Sequence, residues 1–179
     1  MWCEVLSCFR ALPVRILEIG SWEGRSALFF LNYLPNASIV CIDTFAGAVE
    51  ALNDESLAKQ IPCIEGRFDR NMAPFGSRVR KIKDRSVCAL EWLHVQGEVF
   101  DLVYIDGGHS STEVAGDSVR AWQLVRVGGI VIWDDYEWGL ERPVEDRPQA
   151  AIDDFLQDHT GQYALLVKGR QVIVRRVSA

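Results

Sequence analysis

Five short strand-like runs alternate with helix-patterned segments along most of this 179-residue chain, and that rhythm restricts the fold more than any other feature. VRILEIG (14–20), ASIVCID (37–43), SRVRKIK (77–83), VFDLVYID (99–106) and GGIVIWDD (128–135) read as strands. GRSALFFLNYL (24–34), RSVCALEWLHV (85–95) and STEVAGDSVRAWQLVRV (111–127) carry the apolar spacing of helices. Regular strand–helix alternation predicts an α/β fold, a mainly parallel sheet with helices on both faces. After a loop rich in Pro and charge (136–148), QAAIDDFLQDH reads as one more helix. QYALLVKGRQVIVRRV then reads as two strands joined through Lys168-Gly169-Arg170, a hairpin signal. The expectation is a seven-stranded sheet ending in an antiparallel hairpin, all within one domain spanning 1–179. Residues 1–13 read as a helical lead-in. Residues 44–76 interrupt the rhythm with Gly47, Pro62, Gly66, Pro74 and Gly76, and a segment of that length is a candidate lid.

Composition removes several classes of function. A formal net charge of -6 argues against nucleic acid or an anionic membrane as the main partner. The basic cluster Arg78, Arg80, Lys81, Lys83 and Arg85 is expected to face solvent beside a short strand. Five cysteines, an odd number without a C-x-x-C pair, give no disulfide framework and point to a reducing cytoplasm. Cys41 and Cys88 lie in apolar runs and are expected to be buried. The first residues lack a signal-peptide pattern, and no apolar run approaches the ~20 residues that span a bilayer, so a soluble protein is expected.

The chemistry gathers where strands end. In an open α/β sheet, ligands bind outside the carboxyl ends of the strands. Asp106 closes one run, His109 follows three residues later, and Asp134 and Asp135 close the next. Three carboxylates beside one imidazole suit a hard divalent cation and a general base. Ser110-Ser111-Thr112-Glu113 reads as a capping box, which sets His109 at the positive end of a helix and favours the neutral ring. Glu113 and Asp117, one turn apart on that helix, are expected at its surface, and Asp153 and Asp154 on a solvated helix face. The first strand runs into Glu18-Ile19-Gly20-Ser21-Trp22-Glu23-Gly24-Arg25-Ser26, whose glycines let a ligand approach the backbone. The spacing is not G-x-G-x-x-G, a poor fit to a dinucleotide. Asp43, ending the second strand, is placed to accept ribose hydroxyls, so a nucleoside ligand is favoured.

ILEIGSWEGRSA, VCIDTF, FDLVYIDGGH and GGIVIWDDY, in that order, resemble the class I S-adenosylmethionine-dependent methyltransferases over roughly residues 14–176. Among these the chain most resembles the metal-dependent O-methyltransferases, both the catechol type and the bacterial sugar and macrolide branch. The resemblance implies a Rossmann-like sheet. It puts Glu18, Gly20 and Ser21 beside the methionine part of the cofactor, with Gly24 and Ser26 at its carboxylate. It makes Asp43 the ribose acid and sets Asp84 and Ser86 near adenine. It makes Asp106, Asp134 and Asp135 ligands of Mg²⁺ or another divalent ion, and His109 the base, where the catechol type carries lysine. The catechol type usually has Asp-Asn at the second acidic pair; the Asp-Asp here is the sugar and macrolide form.

Trp22, Phe45, Trp133, Tyr136 and Trp138 flank the same crevice, Trp133 being equally a core candidate. Related enzymes usually carry extra N-terminal helices over the substrate, whereas about thirteen residues precede the first strand here, leaving the pocket open or closed by a second subunit in a homodimer. The leading expectation is an O-methyltransferase for a small molecule with neighbouring oxygens, such as a sugar, a catechol or a natural product. A metal-independent small-molecule methyltransferase and a non-catalytic S-adenosylmethionine-binding protein are the alternatives.

Overall fold

The computed structural model describes residues 1–48 and 52–178, so that part of the candidate lid, 49–51, lies outside the described residues. Its strands are β1 (Val14–Ile19), β2 (Ala37–Asp43), β3 (Val79–Lys83), β4 (Phe100–Ile105), β5 (Val125–Trp133), β6 (Tyr163–Lys168) and β7 (Val172–Arg176). They form one sheet in the order β3-β2-β1-β4-β5-β7-β6. The first five run parallel, β7 pairs antiparallel with β5, and β6 antiparallel with β7. The chain winds outward through β2 and β3, then returns to lay β4 on the other side of β1. That reversal is the point where such sheets open a crevice at their carboxyl edge.

Alternation along the parallel strands divides the core between the two faces. Leu17, Ile19, Val40, Ile42, Val103, Ile105, Val131 and Trp133 share one apolar cluster. It is closed by α5 (Ser86–Val95), α6 (Ser111–Leu124) and α7 (Pro148–Asp158). Ile16, Ile39, Cys41, Leu102, Tyr104, Ile130 and Ile132 share the other. It is closed by α1 (Trp2–Val5), α2 (Arg25–Tyr33) and α4 (Ile61–Met72), with a short α3 (Glu55–Ala58) between β2 and α4. Phe30 of α2 is fully buried, and truncating such a ring to alanine costs about 3–5 kcal/mol.

Several expectations are corrected. The described residues of 44–76 are more regular than their breakers imply. Pro62 lies in the first turn of α4, where its missing N–H is no loss, and Ile64, Phe68 and Met72 recur at helical spacing to bury one face. The predicted helix 111–127 stops at Leu124, because Val125 turns inward beside Phe100 and starts β5 three residues before Gly128. Residues 77 and 78 belong to a tight turn, not to β3. Cys88 is exposed, while Cys41 is buried. The basic cluster is not simply solvated. Arg78 donates to the carbonyls of Ala37, Leu31 and Leu34, Arg80 pairs with Glu98, and Lys81 and Lys83 pair with Glu65 of α4. Among the described residues no helix is long and apolar enough to cross a membrane.

Candidate active site

Among the described residues, three non-glycine residues have left-handed backbones, and all three follow a parallel strand at the carboxyl edge. They are Trp22 (φ 48), Phe45 (φ 54) and Asp135 (φ 57). Two glycines make the edge possible. Gly20 has φ 83, and a Cβ there would fall 1.8 Å from the Asp106 carbonyl oxygen, so the turn after β1 and the end of β4 meet through backbone alone. A Cβ on Gly24 would press on Met72 and Phe68, so α4 lies directly over the first loop. Glu23 adds an ion pair with Arg67 and a 2.8 Å bond from Asn71 to its carbonyl.

The first loop is tied down by carboxylates. Asp43 Oδ2 accepts the N–H groups of Ser21 (2.8 Å) and Trp22 (2.7 Å), and its Oδ1 accepts that of Phe45 (2.6 Å). Glu18 is fully buried and accepts the Ser26 hydroxyl at 2.6 Å; burial pushes its carboxyl above the ordinary range. Glu18 Oε2 and Ser21 Oγ are buried and make no well-formed hydrogen bond among the described residues, although the Ser21 hydroxyl and Cys41 thiol lie close enough to the carboxylate to favour its charged form. Asp84 is exposed and accepts the Arg85 N–H at 2.7 Å. Ser86 starts α5 and hydrogen-bonds Asp117.

Asp117 corrects the expectation of a surface acid. It is 4 % exposed, and burial raises its carboxyl to about 6 against the Ser86 bond that lowers it. The signal was present in the sequence, because Asp117 lies one turn from both Val114 and Ala121 on the apolar side of α6. Asp153 departs less, since it accepts from Tyr136 and pairs with Lys168.

The acidic crevice is lined by Asp106, Gly107, Gly108, His109, Asp134 and Asp135. Donor atoms of Asp106, His109 and Asp135 all lie within 4.8 Å of one another. His109 Nε2 is 3.0 Å from Asp135 Oδ2, and its ring stacks on Trp138 at 4.7 Å. Ser110 caps α6 as expected, its Oγ accepting from the Glu113 N–H at 3.3 Å and donating to the Glu113 carboxylate at 2.6 Å. Asp134 stands at the same edge but outside that close group. Its Oδ1 accepts the Asp135 N–H (2.9 Å), and its Oδ2 accepts the Tyr104 hydroxyl, which also lies 3.0 Å from Asp106 Oδ2. Burial, then the charges of Asp134 and Asp135, raise Asp106 to about 8. Crowding acids out of water is costly unless a counter-charge arrives, so these donors suit a hard cation.

Of the flanking aromatics, Trp133 is core and donates to Ser118 at 2.8 Å, Tyr136 is buried, and Phe45 packs on Phe68. Trp138 alone stacks on a candidate catalytic group. Tyr104 had no sequence signal beyond its place in an apolar run.

A family model described as a methyltransferase domain matches residues 17–136. Among solved structures, the MycE methyltransferase of the mycinamycin biosynthetic pathway, in complex with Mg, SAH and mycinamycin VI, is 19% identical with a TM-score of 0.70. The alignment covers 99% of this chain and 48% of MycE, so the chain spans about half the length of that protein. The O-methyltransferase NovP is 18% identical at a TM-score of 0.67, covering 98% of this chain and 76% of its own. An O-methyltransferase from Bacillus cereus, in complex with SAH, is 18% identical at 0.68, covering 98% and 79%. At such identities the likeness speaks for the fold. Comparison with curated proteins gave no match. With more than half its length matched by the family model, the chain belongs to the methyltransferase domain family.

Proposed function

We propose that this chain is an S-adenosylmethionine-dependent O-methyltransferase that uses a divalent cation of the magnesium type and acts on a small molecule with neighbouring oxygens. One observation carries the reading: Asp106, Asp135 and His109 converge within 4.8 Å at the sheet's reversal point, across Gly20 from the first loop. Oxygen donors with one imidazole fit magnesium or manganese better than a soft ion. Asp106 and Asp135 would hold the cation, with Asp134 beside them. On the other side of Gly20, the buried Ser21 Oγ and Glu18 Oε2 fit the polar end of an amino-acid-like ligand. Asp43 fixes the loop amides and retains lone pairs for hydroxyl groups. MycE, whose complex contains Mg, SAH and mycinamycin VI, supports a small-molecule acceptor.

When bound, S-adenosylmethionine would supply the electrophilic methyl, and the cation would make the substrate's acceptor hydroxyl more acidic. The chain supplies alignment and a proton acceptor. His109 takes the hydroxyl proton, and Asp135, whose Oδ2 lies 3.0 Å from Nε2, stabilises the imidazolium that forms. Trp138 covers one face of the ring and restricts its rotation. Gly20 brings the methyl-donor loop and the acid crevice within contact of each other.

Calorimetric titration with S-adenosylmethionine, with and without Mg²⁺, followed by methyl-transfer assays over a panel of diols and catechols, tests the reading. Cofactor binding together with Mg²⁺-dependent transfer is expected. Binding with no metal-dependent transfer overturns it.

A further inference from the structure

Tyr104 lies on β4 two residues before Asp106, hence on the same face of the sheet, and pairs in register with Ile132, two residues before Asp134. The phenol therefore rises between the two acids as they leave their strands. Its hydroxyl lies 3.0 Å from Asp106 Oδ2 and bonds Asp134 Oδ2. The ring is 2 % exposed and is held edge-on by Trp2 at 5.4 Å and by Phe30 at 5.6 Å. Trp2 is itself anchored, its indole N–H donating to Gln171 at 2.7 Å in the turn between β6 and β7. Packing thus fixes where the hydroxyl points.

Phenylalanine would fill this core site equally well, and a buried hydroxyl is costly unless bonded. Among the described residues the oxygen atom is accounted for only by the acids above it. With Oδ2 on Tyr104 and Oδ1 on the Asp135 N–H, Asp134 is held twice. That leaves the donor atoms of Asp106, Asp135 and His109 directed at one another.

We infer that Tyr104 is a positioning residue for the cation site: its hydroxyl fixes Asp134 and Asp106 and thereby sets the affinity for the divalent ion. The inference rests on the metal-assisted reading given above. Outer partners of metal ligands act in this manner, through orientation and not through coordination.

The test is the Mn²⁺ and Mg²⁺ affinity of the full chain, by calorimetry and Mn²⁺ paramagnetic resonance, for wild type and Tyr104→Phe. The variant is expected to weaken metal binding by about 10–100-fold. Its melting curve and its metal-free affinity for S-adenosylhomocysteine should match wild type. The Mg²⁺ concentration for half-maximal turnover should rise, with kcat at saturating Mg²⁺ largely retained. Should the variant fold poorly, wild-type protein isotope-labelled at tyrosine Cζ gives a second reading. One of its four tyrosine resonances should move when Mg²⁺ is added. Equal metal affinity in variant and wild type, or four unmoved resonances on a metal-binding wild type, overturns the role of Tyr104 alone. A wild-type chain that binds neither ion overturns the metal-assisted reading and this inference together.

Discussion

The first loop and the acidic crevice share one sheet edge and meet at Gly20, yet they are stabilised in opposite ways. In the loop each acid has donors: Asp43 takes three backbone N–H groups and Glu18 takes the Ser26 hydroxyl. In the crevice three carboxylates crowd together, and Asp106 is raised to about 8 by burial and by its acidic neighbours. The loop's backbone N–H groups are satisfied within the protein, whereas the crevice has a surplus of one sign that a bound cation or proton relieves. Adjacent regions of one edge can thus be preorganised by satisfaction and by its lack.

The comparison can be broken from either side. His109→Ala should have the largest effect, lowering kcat by about 10²–10⁴-fold at neutral pH. Cofactor affinity, measured by titration, should stay near wild type; full turnover across pH 6 to 9 would remove the base from the crevice. Gly20→Ala attacks the junction instead. Its Cβ would fall 1.8 Å from a carbonyl oxygen and its φ is 83, so a loss of about 3 kcal/mol or more is expected in denaturant unfolding. An unchanged midpoint would mean that the two regions are not in contact through backbone.

A third test uses pH. Asp117 titrates near 6 when folded, against an ordinary value of 3.8, so the folded chain binds the extra proton between those values. Stability from this group is therefore complete below its unfolded value and lost as pH rises through about 6. Asp117→Asn should cancel a loss of about 2–3 kcal/mol that wild type shows on going from acid to neutral pH. Parallel stability curves for the two proteins would refute it. The smallest effect is expected from Ser26→Ala. Removing the donor to Glu18 should cost about 1–2 kcal/mol and weaken cofactor binding several-fold, by titration. If Ser26→Ala proves harsher than Gly20→Ala, the loop depends more on its buried acid than on its backbone.

Much of this edge was legible because each strand announces its end with an acid. Asp43, Asp106, Asp134 and Asp135 all stand where the alternation places them, and Ser110 caps α6 as its spacing implies. What escaped was decided by tertiary packing. Pro62 and Gly66 read as breakers, yet one sits in a first turn and α4 runs unbroken through the other, whose face is so open that an added Cβ would meet only Arg70. Arg78 reads as one charge in a run, yet only the fold brings it three carbonyls. Tyr104 reads as one more apolar strand residue, since a pattern of hydropathy does not reveal which hydroxyl will lie under two acids. Asp134 was expected beside Asp106 and Asp135 as an equal, and its engagement by Tyr104 depends on register between β4 and β5.

The left-handed backbones at Trp22, Phe45 and Asp135 have a consequence for anyone seeking a hardier version of this protein. Each carries a steric cost of about 1–2 kcal/mol that glycine would not. Glycine would relieve that strain without loss of packing only at Asp135, because Phe45 is a buried ring on Phe68 and Trp22 packs against the same apolar cluster. Selection for melting temperature alone would therefore favour glycine at Asp135 first, and the carboxylate surrendered there is the one that faces the His109 ring.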